Sequence, residues 1–158
     1  WFRKAAEQNH ADAQYNLGLL FYSGLGVALN YADAKLWFEK AAQQNHAEAQ
    51  YALGSLYYNG LGTPQDHERA ARWYRRAADQ GKAAAQSLLA SMYEKGIGVA
   101  QDDAAASALL RSAANSGDPE AQFALATRYD SGRGVAKDLA AATTWYRKAA
   151  RPGAVRAG

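Results

Sequence analysis

The chain has 158 residues, 49% of them hydrophobic, with a formal net charge of +3 and no cysteine. Such a composition can bury a core and is not that of a disordered chain; it excludes disulfides, cysteine nucleophiles and thiolate metal sites. No apolar run approaches the ~20 residues of a membrane-spanning helix, and the mild excess of basic residues lacks the dense stripe of a dedicated nucleic-acid domain.

In chain order, residues 1–10 ("WFRKAAEQNH") align with "WFEKAAQQNH" at 37–46 and read as the second-helix remnant of a preceding repeat. The chain thus starts in mid-repeat, and any export signal is expected upstream of it. Four further copies follow at 11–46, 47–82, 83–118 and 119–153, with a tail at 154–158. The copies are marked by Gly-x-Gly pairs whose first members are Gly24, Gly60, Gly96 and Gly132, a spacing of 36 residues. A phosphate loop occurs once per nucleotide site and carries Gly-Lys-Ser/Thr or a third glycine opening a helix; none of the four copies does. A feature repeated at this period belongs to the architecture.

Within each copy the spacing is helical. Ala13, Leu17 and Phe21 recur at i, i+4, i+8, and Ala34, Trp37, Phe38, Ala41 and Ala42 at i, i+3, i+4, i+7, i+8. No segment alternates with period two. The predicted helices are 11–22 and 31–43, 47–58 and 67–79, 83–94 and 103–115, 119–130 and 139–151. The first glycine of each pair ends the first helix in the left-handed conformation. Asn30, Asp66, Asp102 and Asp138 then cap the second helix. A small residue (Gly18, Gly54, Ala90, Ala126) lets a neighbouring helix approach, with the tryptophan column (Trp37, Trp73, Trp145) expected to fill the space beside it.

The columns A-Q-x-x-L-G-x-x-Y-x-x-G-x-G-V-x-x-D-x-x-x-A-x-x-W-Y-x-K-A-A resemble the Sel1-like repeat family over nearly the whole chain. The third copy departs most, with Ser87 in the column of Tyr15, Tyr51 and Phe123, and Leu109-Leu110 in place of tryptophan and an aromatic; looser local packing is expected there. The resemblance implies an all-α, TPR-like α-solenoid, a right-handed superhelix of 36-residue helix-turn-helix repeats, serving as an adaptor or scaffold for other proteins. Bacterial members are often exported, so the resemblance favours a periplasmic or secreted location. A cysteine-rich, disulfide-tied branch of the family does not carry over to a cysteine-free chain.

Stacked helix pairs curve, and the first helix of each pair usually lines the concave groove. On a helical wheel the face of the first helix opposite its core stripe carries Tyr15, Leu19 and Tyr22, then Tyr51, Ser55 and Tyr58, then Glu94, then Phe123 and Asp130. Tyrosine joins rigid contact area to a hydrogen-bonding tip. An extended peptide or helix of a partner protein is therefore expected across the first two repeats. The competing reading makes Tyr15 and Tyr51 ordinary columns that pack on the next helix. A tyrosine-lined groove also suits sugars, which gives the alternative of an envelope-associated peptidoglycan- or glycan-binding protein.

Other constellations carry less. Arg69, Arg72 and Arg76 share a helix face and form either a basic surface for acidic protein, RNA or phospholipid or a solvated outer face. His10 and His46 occupy one repeat column, and stacked helices lie roughly 8–10 Å apart, too far to share a metal; His67 reads as a first-turn surface residue. No metal, cofactor or catalytic motif is predicted, and nucleic-acid binding is not expected. An uncovered terminal helix offers self-association through Trp1 and Phe2.

Overall fold

The computed structural model describes residues 10–151 and is all-helical over that range. The chain divides into two compact units, residues 1–80 and 81–158. The first unit contains α1 (Ala11–Ser23), α2 (Tyr31–Gln43), α3 (Ala47–Asn59) and α4 (His67–Asp79); the second contains α5 (Ala83–Lys95), α6 (Asp103–Asn115), α7 (Pro119–Ser131) and α8 (Leu139–Ala149). In each unit every helix packs on its sequence neighbour, the stacking of helix-turn-helix repeats in an α-solenoid. Seven helices lie within one residue of the predicted bounds. The eighth stops at Ala149, two residues early, because a proline follows Arg151 in sequence and disfavours helical backbone before it.

The paired glycines are corners. Gly24, Gly60, Gly96 and Gly132 are C-caps with φ of 69°, 68°, 66° and 76°. Their neighbours' amides are spent on the helix they terminate: Leu61, Ile97 and Arg133 N–H donate to the carbonyls of Leu56, Met92 and Arg128 at 3.0, 3.0 and 3.1 Å. Each corner closes with one more backbone bond, from the N–H of Asn30, Asp66, Asp102 or Asp138 to the carbonyl of Phe21, Tyr57, Tyr93 or Tyr129. The same four Asn/Asp side chains accept from first-turn amides of α2, α4, α6 and α8. An anion finds no amide cradle at Leu61, Ile97 or Arg133.

The second glycine has a separate cause. A Cβ on Gly62 would meet the main chain of Tyr31 and Ala32, and one on Gly134 the carbonyl of Asp103. Each lies against the first turn of the second helix in the preceding repeat, so the corner needs both a positive φ and the missing side chain. A Cβ on Gly26 meets no atom within 4 Å.

Packing inside each pair follows the small-residue column, with one correction. The residue filling the space beside it is the one after the tryptophan. A Cβ on Gly18 would stand 2.6 Å from the Phe38 ring, and one on Gly54 2.8 Å from the Tyr74 ring. Phe38 and Tyr74 lie four residues after Ala34 and Ala70, directly over them on the buried stripe, whereas Trp37 and Trp73 are half-buried at its edge. There Trp37, Trp73 and Trp145 lie under Lys40, Arg76 and Lys148, with cation to ring-centre distances of 4.1, 4.8 and 4.0 Å.

Glutamines join successive repeats. Gln50 Nε2 donates to the Ala42 carbonyl (3.3 Å) and Asn45 Oδ1 (3.1 Å), and Gln122 Nε2 to the Ala114 carbonyl (3.1 Å), so each glutamine ties its helix to the end of α2 or α6. Gln44 and Gln80 donate in turn to Gln14 and Gln50, each at 2.7 Å.

Candidate functional site

In the first unit the predicted groove residues line the first helices as aromatic contacts. Tyr15 is half-buried, 5.7 Å from the Phe38 ring and stacked 4.9 Å from His46. Burial, with the charge of Glu48 beside it, pushes its phenol up from the ordinary tyrosine value. Tyr51 meets Tyr74 at 5.8 Å. Both rings thus contact the second helix of their own repeat. Tyr74 is pushed up to about 12 by burial, against the lowering effect of its hydrogen bond with Ser55 Oγ (3.1 Å). Tyr22, 39% exposed, lies edge-on to Tyr31 at 5.4 Å, and Leu19 beside it is 36% exposed. Tyr58 is half-buried on the imidazole of His67 at 4.9 Å.

His46 and His67 are structural partners here. His46 Nδ1 accepts from the Ala49 amide at 3.1 Å as the cap of α3, while Nε2 lies 3.0 Å from Asp12 Oδ1. Among the described residues no group of three His, Asp or Glu side chains could hold a metal ion, and no helix is long and apolar enough to cross a membrane. On α4, Arg69, Arg72 and Arg76 are exposed. Arg69 pairs with Asp66 at 3.2 Å and Arg76 covers Trp73, so two of the three guanidinium groups are engaged locally. Trp1 and Phe2 lie outside the described residues.

In the second unit the same face carries charge at Glu94 and Asp130 and an exposed ring at Phe123. Glu94 accepts from Arg133 Nη1 at 2.7 Å and lies 3.4 Å from Arg128 Nη2. Asp103 holds Arg133 Nε at 3.0 Å and Arg128 Nη1 at 3.6 Å. Arg128 is buried and also donates to Ser107 Oγ and the Asp103 carbonyl, at 3.2 and 3.3 Å. The side chain of Glu94 is therefore committed to an ion network. Arg128, Arg133, Asp103 and Ser107 were missed by the sequence reading. The available signal was a broken column: Leu20, Leu56 and Met92 become Arg128, and Leu25, Leu61 and Ile97 become Arg133.

A cleft of about 450 Å³ between α5 and α7 is lined in part by this network, through Glu94, Arg128 and Arg133. Its wall carries Ser87, Ser91, Glu94, Glu120 and Thr127, and its apolar lining includes Ala90, Leu110 and Ala124. The divergent third repeat is the reason for the opening. Where the other repeats pair rings (Tyr15–Phe38, Tyr51–Tyr74, Phe123–Tyr146), this one has Ser87 and Leu110. Phe123 is 57% exposed, edge-on to Tyr146 at 5.5 Å, and Asp130 is exposed at the end of α7.

Comparison with known proteins follows the repeat boundaries. The family model described as Sel1 repeat matches residues 1–10, 11–46, 47–82, 83–118 and 119–153. Among solved structures, a protective antigen of uropathogenic Escherichia coli displaying an SLR fold is 35% identical, with a TM-score of 0.93 over 95% of this chain and 32% of that one. A Sel1 repeat protein from Oxalobacter formigenes is 40% identical, with a TM-score of 0.90 over 97% of this chain and 63% of that one. The chain thus spans about a third of the first and under two thirds of the second. Cysteine rich protein B of Helicobacter pylori, at 23% identity and a TM-score of 0.61 over 76% of this chain and 91% of that one, shares the fold. No curated protein matches the chain.

Proposed function

Since the chain belongs to the Sel1 repeat family, whose repeats generally mediate protein interactions and whose members are typically non-catalytic scaffolds, we propose that it holds a peptide or helix of a partner protein against the first helices of its repeats. The carrying observation is the face of α1. Leu19 and Tyr22 remain more than a third exposed there, and the rim continues into Tyr31 through a ring-edge contact. Large, rigid aromatic side chains with a polar tip lose little entropy when a partner covers them and dominate interface energetics. Tyr15 and Tyr51 contribute differently. Packed on Phe38 and Tyr74, they hold the platform on which the more exposed residues stand.

Parallel capture of partners by the parent and by a Tyr22→Ala/Tyr58→Ala double variant tests this reading, with thermal melts confirming that both are folded. Loss of capture is expected from the double variant. Equal capture by the two folded proteins ends the proposal.

A further inference from the structure

The cleft of the second unit has counterparts elsewhere in the same chain, and they show what fills such a space. In the second repeat the Tyr51 ring lies 5.8 Å from Tyr74, and the Tyr74 hydroxyl makes a 3.1 Å hydrogen bond with Ser55. One repeat later these three positions are Ser87, Leu110 and Ser91. Both rings are gone, while the hydroxyl that receives the phenol is retained. All three residues line the cleft. Ser87 Oγ is buried and has no hydrogen-bond partner. The cleft therefore combines apolar lining at Ala90, Leu110 and Ala124, charged side chains at Glu94, Glu120, Arg128 and Arg133, a volume in the range of small-ligand pockets and the Ser87 and Ser91 side chains.

We infer that this cleft is a receptor for a tyrosine side chain of a partner protein, which inserts its ring where the third repeat lacks one and hydrogen-bonds Ser91 through its phenol. The inference deepens the scaffold reading by naming an anchor residue, and it rests on that reading only for the source of the tyrosine. The chemistry favours tyrosine over phenylalanine because only a phenol can hydrogen-bond Ser91 as Tyr74 does Ser55 one repeat earlier. The ion network of Arg128, Arg133, Glu94 and Asp103 borders the space and fixes the ends of α5 and α7 that frame it.

The test is a titration of the protein with N-acetyl-L-tyrosinamide, followed by amide chemical shifts. Saturable shifts centred on Ser87, Ser91 and Thr127 are expected. N-acetyl-L-phenylalaninamide should bind about three- to tenfold more weakly, the factor one net hydrogen bond supplies. Ser91→Ala should narrow that preference. Ser87→Tyr, which restores the ring of the sibling repeats, should abolish the shifts while keeping or raising the melting temperature. Absence of a saturable shift, or undiminished binding by a folded Ser87→Tyr protein, overturns the inference. Should Ser87→Tyr lose the fold, the tyrosine preference of the parent and its reduction in Ser91→Ala decide the matter, and equal binding of the two probes overturns it. Because the probe bypasses the partner, failure here leaves the test at Tyr22 and Tyr58 standing, and the reverse also holds.

Discussion

Tyr22, Tyr31, Leu56 and Leu61 in the first unit hold the positions that Glu94, Asp103, Arg128 and Arg133 hold two repeats downstream. In the first unit Tyr22 and Tyr31 meet as rings at 5.4 Å. In the second, two arginines bind two acids through contacts of 2.7 to 3.6 Å. The backbone beneath is the same: Gly62 leans on Tyr31 as Gly134 leans on Asp103. The difference teaches that the corner is fixed by main-chain geometry, while the side chains over it are free to be apolar or ionic. What changes is the consequence of losing a member. Rings and leucines form a contact set that degrades gradually. A buried guanidinium is one half of a charge balance, and removing it strands the other half.

The sharpest way to break the comparison is therefore Arg128→Ala, which leaves Glu94 and Asp103 with Arg133 alone and opens a cavity. A loss of about 3 kcal/mol is expected in denaturant unfolding. Arg128→Met, which restores the residue type of Met92, should cost clearly less. Equal unfolding of the alanine variant and the parent would show the network to be energetically idle. Next come the corner glycines. Gly62→Ala and Gly134→Ala should each cost about 2–3 kcal/mol, from positive φ plus a Cβ driven into main chain, whereas Gly26→Ala should cost about 1–2 kcal/mol, from φ alone. Similar melting temperatures for all three would remove the close approach from the account.

A smaller effect separates the second and third repeats by pH. Tyr74 keeps its proton to about 12, while an unfolded tyrosine releases it near ~10. Its contribution is intact below ~10 and is lost as pH rises through ~12, by up to about 2 kcal/mol. The third repeat has Leu110 in that place, a side chain with nothing to titrate. Hydrogen exchange resolved by residue should show the first unit loosening through this source as pH rises, and Tyr74→Phe should remove that part of the loss.

Helix positions and corners were legible because their causes are local. A positive-φ glycine, an Asn/Asp cap and a 3.6-residue stripe act within a few residues of themselves. The choice between Trp37 and Phe38 as the filler beside Gly18 was not, since adjacent residues both satisfy helical spacing from Ala34 and only packing against α1 separates them. The ion network was hidden for a different reason. Glu94, Asp103, Arg128 and Arg133 are scattered over 39 positions of sequence, and each looks like a surface charge until the repeats are superposed. Ser87 was legible as a departure, and looser packing around it was expected. That the departure opens a cleft lined by Ser91 and Leu110 required coordinates.

The leaning of one repeat's second glycine on the preceding repeat's helix start has a consequence for how such arrays change length. Within each unit that seam is a main-chain fit, indifferent to whether tyrosine or aspartate stands at the surface, so removing one whole period keeps a glycine of this kind opposite a helix start. A deletion one residue longer or shorter would slide a side-chain-bearing residue into the slot that only glycine fits. Growth and loss by complete modules is thus built into the stereochemistry, and binding surfaces can diversify along the array without renegotiating the joints.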